Sequence, residues 1–334
     1  MLRQLYFNIV IIIMLKKRVW LVMKRIISVL SLLLVVMVTS CNFNQASVEL
    51  PAVELSSEVS ILVPSGTPYL AIAGLLKNPK IMIDISNGPS GLQTALPSGS
   101  HDIVIAPVNL GTNLYNKGNS KYQMSHILTS NNAYIVTKSE NKLDSIMDLA
   151  NKKVLAFAET GIPSNILKKA YLSNNLDTSL IDFSAQSSAA VYSLFAGKTT
   201  DAKYVLMSEP EISKLILKDK IDVNVMDLTK VLNTNIAQAC VYVNPESENI
   251  EDIAAVLNLM NEMVNYLNKY PEAYAAAVLA LDESRTLDAM GKDVIIHSIP
   301  LSNIVFKEAK TNKEDIESIL NILGVTLPNA AFYR

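Results

Sequence analysis

Arginine is almost missing from the body of this 334-residue chain. After Arg25 the next is Arg285, and the last is Arg334. The stretch between them offers no guanidinium, the planar fork that most often grips carboxylate, sulfonate or phosphate groups in pairs of hydrogen bonds. Cysteine is nearly as scarce. Cys41 and Cys240 are the only two, so there is no disulfide framework and no paired-cysteine metal site. The three histidines, His101, His126 and His297, are scattered without metal-ligand spacing, and each is expected to be a surface or hydrogen-bonded residue. Trp20 is the one tryptophan. The formal net charge of −2 provides no basic field, so nucleic acid is not an expected partner.

Apolar residues are plentiful, at 50% of the chain with 18% charged. That is enough for one large or two ordinary domains. From Met23 the sequence reads "MKRIISVLSLLLVVMVTSC". Lys24 and Arg25 supply a positive start, Ile26 to Val38 is apolar but for Ser28 and Ser31, and small residues precede Cys41. The run is short for a permanent span of roughly 20 residues and fits a secretory signal. Its ending, "VTSC", resembles a bacterial lipobox, in which cleavage leaves a lipid-bearing cysteine. Residues 1–40 are therefore expected to be a signal peptide, with translation starting at Met23. The competing readings are a membrane anchor with an ordinary cysteine and, for residues 1–22, a genuine extra apolar segment. Residues 41–58 lack sustained periodicity and are expected to tether the lipid to the folded part.

From Val59 the chain alternates short β-branched runs with helical patterns. Expected strands are Val59–Val63, Ile81–Ile85, Ile103–Ala106, Ala133–Thr137, Val154–Ala158, Ile181–Phe183, Lys203–Met207 and Gln238–Val243. Expected helices lie around 68–77, 90–97, 109–117, 145–150, 164–174, 187–196, 209–218, 250–268 and 271–281. Near-continuous apolar strands alternating with helices imply an α/β fold with sheets covered on both faces. Ile253, Val256, Leu257, Met260, Val264 and Leu267 form a helical stripe read as core.

The strand-to-helix turns repeat one chemistry: "PSGTP" after Val63, "PVNLGT" after Ala106, "ETGIPSN" after Ala158 and "SEPE" after Met207. Each places small or polar residues where a strand ends and a helix begins, the position at which open α/β sheets bind ligands. Singly these are ordinary helix-start signals. Thr67 reads as a cap before Pro68 and Ser90 as a possible cap in "NGPSG".

Several segments resemble type II periplasmic solute-binding proteins of the nitrate, sulfonate and thiamine-precursor branch. These are "LDSIMDLANKKVLAFAETGIPSNIL" at 143–167, "LFAGKTTDAKYVLMSEPEI" at 194–212, "ALPSGSHDIVIAP" at 95–107 and "ACVYVN" at 239–244. Asn151 stands where that family usually has glycine. The resemblance covers roughly residues 59–300. It implies two α/β lobes with mixed sheets, 59–136 plus 241–334 and 137–240, hinged near Thr137 and Val241, with a ligand cleft between them. The cleft candidates are Ser65, Gly66, Thr67, Tyr69, Ser90 and Asn109 from the first lobe, and Thr160, Gly161, Ser164 and Glu209 from the second. With the lipobox, it implies a monomeric, lipid-anchored binding component on the outer face of the cell membrane, serving an ABC permease and its ATPase. No cofactor or metal is expected.

Without a guanidinium, the expected ligand is a small neutral or donor-bearing organic molecule, with heteroaromatic pyrimidine precursors as one example. Tyr69, Tyr134, Phe157 and Tyr192 lie near the cleft segments and could stack on a ring. Glu209 would favour donors or a cation, or would simply sit at a helix start stabilised by the dipole. An enzyme of the same fold is the alternative, as in fungal thiamine-pyrimidine synthesis. It would need a reactive histidine and clustered cysteines, whereas Cys240 is isolated and His101 lies at a strand start. A surface lipoprotein with no transport role is a third reading.

Overall fold

The computed structural model describes residues 49–86 and 88–334. The expected signal segment, the Met23 start, Cys41 and residues 42–48 lie outside them. The strands are β1 (Val59–Pro64), β2 (Ile81–Ser86), β3 (Ile103–Pro107), β4 (Gln123–Ser130), β5 (Tyr134–Lys138), β6 (Val154–Phe157), β7 (Ile181–Ala185), β8 (Tyr204–Met207), β9 (Val223–Asp227), β10 (Ala237–Val243) and β11 (Ile304–Glu308). The helices are α1 (Thr67–Ile72), α2 (Pro89–Ser98), α3 (Val108–Asn116), α4 (Ile162–Ser173), α5 (Ser188–Ala196), α6 (Glu211–Leu217), α7 (Leu228–Val231), α8 (Ile250–Lys269), α9 (Pro271–Leu281), α10 (Lys292–Ser298) and α11 (Lys313–Ile322).

Two mixed sheets result, ordered β11-β4-β10-β3-β1-β2 and β7-β6-β8-β5-β9. In the first, β1 runs parallel to β2 and β3, while β10 is antiparallel to β3 and β4. In the second, β6 runs parallel to β7 and β8, and β5 is antiparallel to β8 and β9. The eight expected strands are present within a residue or two at each end. Strands β4, β9 and β11 were not anticipated.

Side-chain alternation divides the first sheet between two cores. Ile61, Val63, Ile103, Ile105, Val241 and Val243 face a core built with α1, α8, α9 and α10. Their neighbours Leu62, Val104, Ala106, Cys240 and Tyr242 face a second core that continues into the second sheet. Both faces are covered, which is why the strands read as unbroken apolar runs. The stripe on α8 is buried as expected, with acidic residues in the first turn and Lys269 in the last, the arrangement that complements the helix dipole.

The residue at Asn151 has φ 58°. That left-handed backbone explains a glycine in the family pattern, and asparagine is the side chain that tolerates it best. Residues 50–58, expected as part of a tether, are instead docked. Leu50 and Leu55 are buried, Lys77 Nζ donates to Leu50 O at 2.9 Å, and Asn78 Nδ2 donates to Val53 O at 2.8 Å. Asp252 accepts from the backbone N–H groups of Ser56 (3.0 Å) and Ser57 (2.8 Å) and from both hydroxyls.

The chain passes between the sheets at 131–133 and again at 232–236. Thr137 and Val241, the expected crossing points, lie inside β5 and β10. The two passages are bonded to each other. Asn131 N donates to Ile236 O at 3.2 Å, Ile236 N donates to Asn131 Oδ1 at 2.8 Å, and Asn132 N donates to Gln238 Oε1 at 3.1 Å. Among the described residues, no helix is long and apolar enough to cross a membrane.

Candidate functional site

All four turns singled out in the sequence open onto one cavity of about 780 Å³ between the two sheets. Its wall follows the carboxyl ends of parallel strands: Pro64–Pro68 after β1, Pro107, Asn109 and Leu110 after β3, Thr160–Pro163 after β6, and Ser208–Glu211 after β8. Ser187–Ala189 after β7 and the loop residues Thr286, Ala289 and Met290 add to it.

The turns are shaped by local constraints. Gly66, at the N-cap of α1, has φ 87°, a conformation that penalises any side chain, and Pro68 follows in the first turn. At Gly161 a Cβ would stand 2.9 Å from Ala158 O, so the tight turn into α4 admits only glycine without a shift. Ala158 itself has φ 45°, a strained conformation for a residue with a Cβ.

Of the expected contact residues, Ser65, Gly66, Thr67, Asn109, Thr160, Gly161 and Glu209 line the cavity. Three do not. Tyr69 is buried in the core behind α1, with its hydroxyl donating to Asp282 Oδ1 at 2.7 Å. That carboxylate also accepts from Leu287 N at 2.7 Å, which holds the loop carrying Thr286 to Met290 against the cavity. Ser164 is fully buried and donates to Phe157 O, pinning α4 to the end of β6. Ser90 is exposed, and the α2 N-cap is Gly88 with no side-chain cap bond, so Ser90 caps nothing. Thr67 is not a cap either. Its hydroxyl reaches across to Glu209 O at 3.2 Å. Tyr134, Phe157 and Tyr192 are also absent from the wall, and among the described residues no aromatic ring lines it. The flat surfaces come from proline instead: Pro64, Pro68, Pro89, Pro107, Pro163 and Pro210.

Glu209 is 3% exposed. Its Oε2 accepts from Ser213 N at 3.1 Å at the start of α6, while Oε1 is buried without a partner. Burial pushes its carboxyl up to about 7, against the Ser213 bond that favours the charged form, and nearby Glu211 adds to the rise. Asn132 clasps its backbone, accepting from Glu209 N at 2.7 Å and donating to Glu209 O at 3.3 Å. Asn109 Oδ1 is a second buried acceptor without a partner. Lys214 lines the cavity but is paired with Glu211 at 3.1 Å, both side chains largely buried. Arg285 is exposed, paired with Asp288 at 3.2 Å, and is not on the wall. Among the described residues, no group of three or more His, Cys, Asp or Glu is placed to hold a metal ion.

Asn132, Lys214, Asn113, Ser188 and Gln238 also line this wall, beyond the residues expected from the sequence. Asn113 lies one turn beyond Asn109 on the same helical face, and Ser188 follows a strand end like the other turns, so both carried a signal. Asn132 lies in a passage between sheets, where no local pattern marks it, and Gln238 sits at the start of β10, where its place on the wall depends on the pairing with Asn132.

Two mixed sheets flanked by helices around such a cavity are the periplasmic binding protein fold, and solved structures share it. An ABC transporter protein from Parabacteroides distasonis matches with a TM-score of 0.69 at 19% identity, over 84% of this chain and 99% of that one. The periplasmic aliphatic sulphonate-binding protein SsuA of Escherichia coli matches at 0.63 and 14%, over 80% and 86%. The alkanesulfonate-binding SsuA of Xanthomonas axonopodis pv. citri, bound to MOPS, matches at 0.57 and 14%, over 83% and 96%. Neither the protein-family models nor the curated proteins gave a match.

Proposed function

We propose that this protein is the solute-binding component of an ABC importer, held on the outer face of the cell membrane by lipid on Cys41. One observation carries the reading: turns from the carboxyl ends of strands in both sheets meet around a single cavity. The similarity to ABC-transporter and SsuA proteins supports the same use of the fold. The solute is a small organic molecule. A heteroaromatic ring would pack against proline faces rather than stack on aromatic side chains. The two lobes hinge at 131–133 and 232–236, close over the solute, and present it to a permease with its ATPase. The protein acts as a monomer.

Thermal melting with candidate solutes tests this reading. A solute that binds only the folded protein raises its stability by about 2.7 kcal/mol at a hundred times its Kd. A solute that shifts melting in the native chain but not in the Thr67→Ala, Asn109→Ala variant identifies the cavity as its site. An equal shift in the native chain and the variant places binding elsewhere.

A further inference from the structure

Resting on the solute-binding reading, we propose that the solute is a small organic cation, with an ammonium-type N–H head on an apolar body. Among the described residues, the charged side chains on the cavity wall are Glu209, Glu211 and Lys214. Glu211 and Lys214 cancel as a largely buried pair, which leaves Glu209 unbalanced. An anionic solute would meet that carboxylate with, among the described residues, no guanidinium or unpaired ammonium on the wall to offset it. A cation neutralises it in a setting where water screens little.

The unpartnered acceptors point the same way. Glu209 Oε1 and Asn109 Oδ1 are both buried and bond to nothing, although they belong to residues following strands of different sheets. An ammonium brings several donors and no acceptor, which suits unpartnered acceptors such as these, whereas a sulfonate or carboxylate brings only acceptors. Neither atom is open to solvent in this arrangement. The head group reaches them when the sheets part and is sealed in when they close. With no aromatic ring on the wall among the described residues, the positive charge is met by a carboxylate rather than by ring faces. Pro64, Pro68, Pro107, Leu110, Ile162 and Met290 supply apolar surface for the body of the molecule.

Binding should then depend on the ionisation of Glu209. The titratable groups around it are Glu211 and Lys214 on α6, His297 on α10, which shares a 2.8 Å bond with Ser213 Oγ, and Tyr134 on β5. With the Glu209 carboxyl at about 7, its ionised fraction rises from about a tenth at pH 6 to about nine-tenths at pH 8. Affinity for a cation should rise about tenfold over the same range.

The experiment is calorimetry on the purified full-length protein with butylammonium chloride, butyramide and sodium butanesulfonate, at pH 6 and pH 8. The expected result is that butylammonium binds at least about tenfold tighter than the other two and about tenfold tighter at pH 8 than at pH 6. Glu209→Gln, shown folded by circular dichroism, should remove both the preference and the pH slope, while His297→Gln keeps the slope. Butanesulfonate or butyramide binding as tightly as butylammonium, or butylammonium binding unchanged by Glu209→Gln, overturns the cation assignment and leaves solute capture standing. No heat from any of the three at millimolar concentration overturns both.

Discussion

Asn132 holds Glu209 by both sides of its backbone: Oδ1 accepts from Glu209 N at 2.7 Å, and Nδ2 donates to Glu209 O at 3.3 Å. The same Nδ2 lies 3.4 Å from Thr67 Oγ1, so one amide in a passage between sheets ties the turn after β1 to the turn after β8. Asn132→Ala would leave the buried Glu209 N–H without an acceptor. We expect a loss of about 2–3 kcal/mol in chemical denaturation.

The raised carboxyl of Glu209 makes stability depend on pH. The folded state holds this proton up to about 7, whereas the unfolded chain releases it near 4.5. Its contribution is full below about 4.5 and is lost as pH rises through about 7. The loss is on the order of 3 kcal/mol. Denaturation curves at pH 5 and pH 8 should differ in that direction in the native chain, and Glu209→Gln should flatten the difference. A native chain that is more stable at pH 8 than at pH 5, with the variant showing the same slope, would contradict the assignment.

Ala158 sits on the cavity wall at φ 45°. Glycine adopts that conformation without the Cβ clash. Ala158→Gly should therefore raise stability by about 1 kcal/mol in urea denaturation.

Asp252 clamps Ser56 and Ser57 to the start of α8 through four hydrogen bonds, and these hold its carboxyl well below the usual carboxylate range. Asp252→Ala should release residues 50–58 while the sheets stay folded. Limited proteolysis would show cleavage in this segment accelerating by about an order of magnitude, with the remainder resistant.

Much of the fold was legible because both faces of the parallel strands are buried, so composition alone marked Val59–Val63, Ile103–Ala106 and Lys203–Met207. Strands β4, β9 and β11 escaped for related reasons. "QMSHILTS" mixes polar and apolar positions with no clean period, and "VNVMD" and "IVFKE" are half-buried edge strands held by pairing rather than by an apolar run. At the cavity, residues whose position follows from a strand end, such as Ser65, Asn109 and Thr160, do line the wall. Tyr69 and Ser164 were misplaced because a helix-start residue can turn inward as readily as toward the cavity, and only the packing against Asp282 and Phe157 decides. Lys214 escaped because its place on the wall depends on α6 lying against the cavity, not on any loop pattern.

Solute capture requires that the cavity between the sheets enclose a small molecule. Native mass spectrometry of the protein, purified without unfolding from its own cell, tests it most directly. The expected result is a bound small molecule that leaves on denaturation, returns on refolding with it, and is absent from the Thr67→Ala, Asn109→Ala variant. A mass equal to the bare chain, or an adduct held equally by the variant, would contradict it.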